Sequence, residues 1–112
     1  MKKILVVGSS EKLVNLVANW FRKYADVSIN MQSIPVFIAR AQEDPNIVFS
    51  GYDACVVVME DVEYSSLAGL ENFSRFIVIE CITESQIGYA EDNHNADSLY
   101  YLVESAISGK NL

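Results

Sequence analysis

At 112 residues, the chain is long enough for one domain with a single core and too short for two. Hydrophobic residues make up 51% of it, which excludes a disordered acidic tail despite the net charge of −7. The same negative charge argues against nucleic acid and anionic membrane surfaces as partners, because both would repel the chain.

The cysteines and the amino terminus predict the compartment. Cys55 and Cys81 both lie in apolar runs rather than in a spaced framework, which is typical of buried, reduced thiols. Lys2-Lys3 precedes only four apolar residues, short of the roughly 7–15 that a signal peptide needs. No apolar run approaches the length of a membrane span. We therefore expect a cytoplasmic protein without membrane insertion.

The first half of the chain predicts two strands and two helices. Residues 4–7 are apolar without alternation, as in a central parallel strand. A helical period follows from Leu13, and residues 27–31 then alternate between apolar and polar, as a half-exposed edge strand does. Ser33-Ile34-Pro35 indicates the start of a short helix that ends before Pro45.

The second half begins with another continuous apolar strand at residues 54–59. A short helical pattern covers residues 65–73, and a fourth strand is predicted at residues 76–82. Residues 83–95 are polar and are interpreted as a long loop, in which residues 87–90 are the one candidate for a fifth strand.

The last predicted element is a helix capped by Asn95 or Asp97 and ended by Gly109. Its apolar face carries Leu99, Leu102, Val103, Ala106 and Ile107. The alternation of strands and helices predicts a single α/β domain over residues 1–112. We expect a three-layer sandwich with a four-stranded parallel sheet in order 2-1-3-4, of flavodoxin-like type.

The carboxyl ends of parallel strands meet at one edge of such a sheet, where ligands bind. The residues predicted there, and hence the candidate binding residues, are Gly8, Ser9, Ser10, Glu11, Glu60 and Asp61. A dinucleotide motif needs further glycines where Ser10 and Leu13 stand, so no cofactor is predicted.

The first helix start offers free N–H groups to an anion. However, Glu11 places a carboxylate in the same first turn, and Glu60 and Asp61 close the neighbouring strand. We predict that Ser9 or Ser10 caps the helix and that no phosphate or nucleotide binds there. The three carboxylates could also hold Mg²⁺, but the ligand set is incomplete and we predict no metal site.

No catalytic residue is predicted. Cys81 has Glu80 beside it and no cation in its neighbourhood, which indicates an inert buried thiol. His94 stands alone in a polar segment without partner ligands and is expected to be solvated. Tyr100-Tyr101 must place at least one ring at the surface, which favours a contact face.

Five segments, in their order and spacing, carry a family resemblance: residues 1–7, Tyr52-Asp53, Asp61-Val62-Glu63-Tyr64, residues 75–80, and residues 88–107. Together they resemble the IIB component of the lactose/cellobiose class of the bacterial sugar phosphotransferase system. That resemblance implies the same strand order and a length close to this one.

In that family a cysteine at the first strand tip accepts a phosphoryl group from a partner histidine, and the following loop cradles it. Here the position is Gly8, so there is no thiolate to phosphorylate. The resemblance therefore implies a scaffold kept for binding a protein partner, either a phosphotransferase component or a regulatory protein. The alternative is an active phosphoryl carrier that uses Ser9, Ser10 or His94.

A second resemblance is to the response-regulator receiver domain, through residues 1–8 and 52–58. Its acid pair would fall on Gly8 and Ser9, and its phosphoacceptor aspartate on Val58. The chain also lacks the room for a further helix and a fifth strand bearing a lysine. This reading implies a receiver-like signalling domain that is not phosphorylated.

Overall fold

The computed structural model describes residues 1–110, except for the side chains of Glu63, Tyr64, Ser66, Leu67 and Lys110. Residues 111 and 112, which end the expected domain, lie outside the described residues. So do the side chains of Glu63 and Tyr64, which form part of the family resemblance.

The described chain forms four strands: β1 (Lys3–Gly8), β2 (Asp26–Met31), β3 (Ala54–Met59) and β4 (Val78–Thr83). They pair in parallel in the order β2-β1-β3-β4. The predicted α/β fold and strand order are thus confirmed.

Helices make every connection. Helix α1 (Glu11–Phe21) joins β1 to β2, and α2 (Ile34–Glu43) with α3 (Pro45–Phe49) joins β2 to β3. The third connection is a 3-10 helix (Asp61–Ser66) followed by α4 (Leu67–Glu71), and α5 (Glu84–Asp92) and α6 (Asp97–Lys110) follow β4.

The two continuous apolar runs occupy the middle of the sheet. β3 has the predicted boundaries, and all six of its residues are buried. Val6 and Val56 are 0% exposed and Val58 is 2% exposed, as predicted. Each valine buried in this way contributes on the order of 1.5–3 kcal/mol. The alternating run forms β2 at one edge, where its side chains are half-buried or exposed.

The sheet separates two hydrophobic cores. On one face Ile4, Val6 and Val56 pack under α1, α5 and α6. On the other face Leu5, Val7 and Val57 pack under α2, α3 and the segment that contains α4. The aromatic rings divide in the same way: Phe21 and Tyr100 meet edge to face in the first core, and Phe37, Phe49 and Phe73 meet in the second.

The prediction of a loop over residues 83–95 was wrong. Thr83 caps α5, because its hydroxyl accepts from the Gln86 N–H at 3.2 Å while the Gln86 side chain accepts from the Thr83 N–H at 2.9 Å. This reciprocal capping box starts a helix despite the polar composition. Residues 87–90, the candidate fifth strand, lie inside that helix.

Three other expectations need correction. α3 was not predicted, since Pro45 ends α2 but also begins a new helix capped by Asp44. The helix expected over residues 65–73 is instead the 3-10 helix and α4. α6 begins at Asp97 and continues through Gly109, and Leu102 lies on its outer side with 48% exposure.

Candidate functional site

All six predicted binding residues lie at the carboxyl edge of the sheet. Gly8 ends β1, and its carbonyl oxygen accepts a hydrogen bond from the Gln32 N–H at 3.0 Å. Glu60 and Asp61 follow β3, the neighbour of β1. This edge, defined by Gly8, Ser9, Ser10, Glu11, Glu60 and Asp61, is called the strand-tip surface below.

Gly8 is the most tightly enclosed of the six. It is buried, and a Cβ placed on it would lie 2.7 Å from the Val14 Cγ2 and 2.9 Å from the Val58 carbonyl oxygen. Real Cβ contacts are longer, and the oxygen belongs to the backbone of a central strand. The strand tip therefore accommodates no side chain unless α1 or β3 shifts.

The first turn of α1 is closed by its own residues. The Ser10 hydroxyl accepts from the Leu13 N–H at 3.3 Å, so Ser10 is the helix cap and the predicted capping by one of the two serines is confirmed. Ser9 and Glu11 are exposed beside it. The Glu11 carboxylate takes the favourable position at the positive end of the helix dipole, which disfavours a second anion there.

The acidic part of the strand-tip surface is linked to α5. The Ser85 hydroxyl donates to the Asp61 Oδ1 at 3.4 Å, while Glu60 is half-buried. The surface thus presents the Glu60 and Asp61 carboxylates after β3 and the Glu11 carboxylate in the first turn of α1. Of its two hydroxyls, that of Ser10 is engaged as the helix cap and that of Ser9 is exposed.

His94 does not belong to this surface. It lies between α5 and α6 with a φ of 50°, and it lines a cavity with Trp20, near the carboxyl end of α1, and Lys23, which follows that helix. That end of α1 leads into β2 and so lies at the amino edge of the sheet. His94 therefore lies at the amino edge of the sheet, whereas Ser9 and Ser10 lie at the carboxyl edge.

A larger cavity runs along β4. This groove has a volume of about 850 Å³, and its walls include Leu70 and Glu71 of α4 and Ile79, Cys81 and Thr83 of β4. Sequence reasoning missed it, although two signals were present: β4 is an edge strand, and the helical pattern before it is short. We call it the β4 groove.

Cys81 lines the β4 groove and is half-buried. Its pKa is raised to about 11, first by burial and then by the negative charges of Glu80 and Glu71. Cys55 is fully buried in β3, and burial raises the pKa of its thiol as well. Both thiols are therefore poor nucleophiles near neutral pH, as expected from the sequence.

One further residue at the carboxyl edge was missed. Gln32 follows β2, and its side-chain Oε1 is buried without a hydrogen-bond partner among the residues described. Over the same residues, no three His, Cys, Asp or Glu side chains form a metal-binding group. No helix in the described part of the chain has the length and apolar character of a membrane crossing.

Comparisons of the chain with protein-family models, with curated proteins and with solved structures find no match. What the chain does is therefore inferred from its own residues and their geometry.

Proposed function

We propose that this chain is a protein-binding or regulatory module on a scaffold like that of the phosphotransferase IIB component, and that it carries no phosphoryl group. Its strand order, its short length and its single parallel sheet agree with what the resemblance implies. The proposal places this module in the cytoplasm, with a phosphotransferase component or a regulatory protein as its partner.

The packing of Gly8 carries this proposal. A phosphoryl acceptor at the tip of β1 needs a side chain. A Cβ placed on Gly8 would lie only 2.7 Å from the Val14 Cγ2 and 2.9 Å from the Val58 carbonyl oxygen. The neighbouring hydroxyl of Ser10 is engaged as the cap of α1. The residues around the tip support a binding surface better than a transfer site.

The active-carrier alternative receives less support. Ser9 is exposed and has no histidine nearby, because His94 lies at the amino edge of the sheet. The receiver-like alternative also receives less support, because Val58 is 2% exposed and the described residues form four strands.

Charge indicates the kind of partner. The strand-tip surface carries Glu11, Glu60 and Asp61, and the whole chain has a net charge of −7. A protein partner with a basic contact surface would be attracted to this edge, whereas nucleic acid would be repelled.

The decisive experiment is phosphoryl transfer from the general phosphotransferase proteins with labelled phosphoenolpyruvate. We expect no label on the chain and no added mass of a phosphoryl group in intact-mass spectrometry. Stable label that disappears in Ser9→Ala or in His94→Ala would show an active carrier and overturn the proposal.

Binding is tested separately by NMR titration of the isotope-labelled chain with a phosphotransferase IIA component. We expect the amide signals of residues 8–11 and 60–61 to shift together. Shifts that avoid both segments, or no shifts at all, would count against a phosphotransferase partner at the strand-tip surface.

A further inference from the structure

The outer edge of β4 and the β4 groove form one continuous surface. Among the described strands β4 pairs with β3 alone, so the backbone groups on its other side face outward. The groove of about 850 Å³ follows the same strand. An extended chain that paired with this edge would therefore lie along the groove.

The two faces of β4 differ. Ile79 and Cys81 pack against the core beneath α2 and α3, whereas Val78 and Ile82 pack against the opposite core, under α5 and α6. The groove opens on the first of these faces, where α4 is only five residues long and ends at Glu71. Every second side chain of an added strand would point into the groove.

The groove is negatively charged. Glu71, at the end of α4, and Glu80, in β4, both line it. None of the described residues that line the groove is lysine or arginine. Arg75, the nearest arginine along the chain, stacks on the Phe76 ring at 4.8 Å from its centroid. The surface thus complements a ligand with positive charge.

The same charges disfavour a second copy of this chain at the edge. Two β4 strands paired through their centres would bring Glu80 near Glu80, and like charges opposite one another destabilise a sheet. Each copy also has a net charge of −7. β4 has no lysine or proline of the kind that blocks exposed edges. Charge repulsion therefore disfavours pairing between the β4 edges of two copies, whereas a strand with basic side chains can still pair with β4.

We propose that β4 is a docking edge for an extended peptide segment of a protein partner, in which apolar residues alternate with lysine or arginine. The segment adds to the sheet as a fifth strand beside β4. Its apolar side chains rest on the half-buried Ile79, and a basic side chain reaches the Glu71 carboxylate. This site shares no residue with the strand-tip surface and does not depend on the function proposed for it.

The test is selection of a random nine-residue peptide display library on the immobilised full chain, followed by affinity measurements with the enriched peptides. We expect enriched peptides with alternating apolar and basic residues. Their affinity should fall at least about tenfold on Glu71→Lys, since the contact changes from attraction to repulsion. N-methylation of alternate peptide bonds should abolish binding, because it removes the backbone donors that pair with β4.

Two controls make the outcome specific. Asp92→Lys introduces the same charge change at an exposed position at the end of α5 and should leave the affinity unchanged. Bound peptide should also slow alkylation of Cys81 in the unmodified chain, which needs no variant. Failure to enrich any peptide, enrichment of acidic peptides, equal affinity for Glu71→Lys, or dimerisation through β4 that is lost in Ile79→Lys would each overturn the proposal. Glu11→Gln tests the strand-tip surface alone, and unchanged peptide affinity in that variant keeps the two sites distinct.

Discussion

Lys3 and Asp53 hold each other by two hydrogen bonds across the amino edge of the sheet. The Lys3 N–H donates to the Asp53 Oδ2 at 2.8 Å, and the Asp53 N–H donates to the Lys3 carbonyl oxygen at 2.7 Å. The two residues are 50 positions apart in the chain. This pair fixes where β3 begins relative to β1, one residue before the first paired position, Ile4 with Ala54.

Asp53→Ala should therefore lower the free energy of unfolding by about 0.5–1.5 kcal/mol, because the Lys3 N–H loses its side-chain acceptor. Asp53→Asn keeps an acceptor oxygen and should recover part of that loss. Urea denaturation measures both. Asp26→Ala, an exposed aspartate at the same edge, is the matched control, and an equal loss in that variant would contradict a specific role for Asp53.

Gly8→Ala should destabilise the chain by about 1–3 kcal/mol, as overpacking of a core does. The added methyl group would meet the Val14 side chain and the Val58 carbonyl oxygen. Gly88→Ala is the control, since a Cβ there meets nothing within 4 Å in the middle of α5. That variant should be neutral or more stable, by up to about 1 kcal/mol. Thermal unfolding with equal midpoints for the two variants would refute the close packing at the tip of β1.

Ser10→Ala should cost about 0.5–2 kcal/mol, the usual loss for removal of a helix cap. Ser10→Asp should retain the stability because its carboxylate also accepts from the Leu13 N–H. Ser9→Ala, at an exposed neighbouring position, should change little. Guanidinium unfolding followed by circular dichroism distinguishes the two serines, and the reverse ranking would assign the cap to Ser9.

The burial of the Glu80 carboxyl should make the free energy of unfolding depend on pH. Burial raises the pKa of its carboxyl above 4.5, so the folded chain binds this proton more tightly than the unfolded chain. The stabilisation from that proton is complete below the unfolded pKa and is lost as the pH rises through the folded value. The stability of Glu80→Gln relative to the wild type should therefore increase from pH 4 to pH 7.

Urea titrations at both pH values measure this difference, with Glu43→Gln as the control at an exposed position of α2. A Glu80→Gln advantage that is the same at pH 4 and pH 7 would show that burial does not act on this carboxyl.

Cys81 predicts slow thiol chemistry in the folded chain. With a pKa of about 11, its thiolate fraction at pH 8 should make alkylation about a hundredfold slower than in urea. Glu71→Gln should speed the reaction, because it removes a negative charge that raises this pKa. Peptide mapping after iodoacetamide treatment separates Cys81 from Cys55. Labelling of folded Cys81 at the rate seen in urea would be inconsistent with the described burial.

Much of the fold could be predicted because buried and exposed strands have different patterns. β3 is apolar throughout and lies in the middle, whereas β2 alternates and lies at an edge. α5 escaped prediction because it buries only Ile87 and Ala90, so it has almost no apolar period. The capping box of Thr83 and Gln86 was the signal that could have found it.

The candidate site was predictable only in its position. Strand ends of a parallel sheet meet at one edge, which is why residues such as Gly8 and Asp61 could be placed together in advance. The distance from Gly8 to Val14 depends on how α1 packs against the sheet. That packing is a tertiary feature, which the local sequence does not encode. The β4 groove likewise depends on where α4 ends beside Ile79.

The position of β1 between β2 and β3 has a consequence for biosynthesis. β1 can pair with β2 as soon as Asp26–Met31 has been synthesised. Its other neighbour, β3, is available only after Ala54–Met59 has been synthesised. At roughly 5–20 residues per second, the ribosome needs about 1–6 s to go from Met31 to Met59. During that interval a nascent β1–α1–β2 unit presents an unpaired apolar strand edge, while collapse takes only microseconds. Newly made chains are thus most exposed to misassociation before β3 is complete, and a bound chaperone would protect them at that stage.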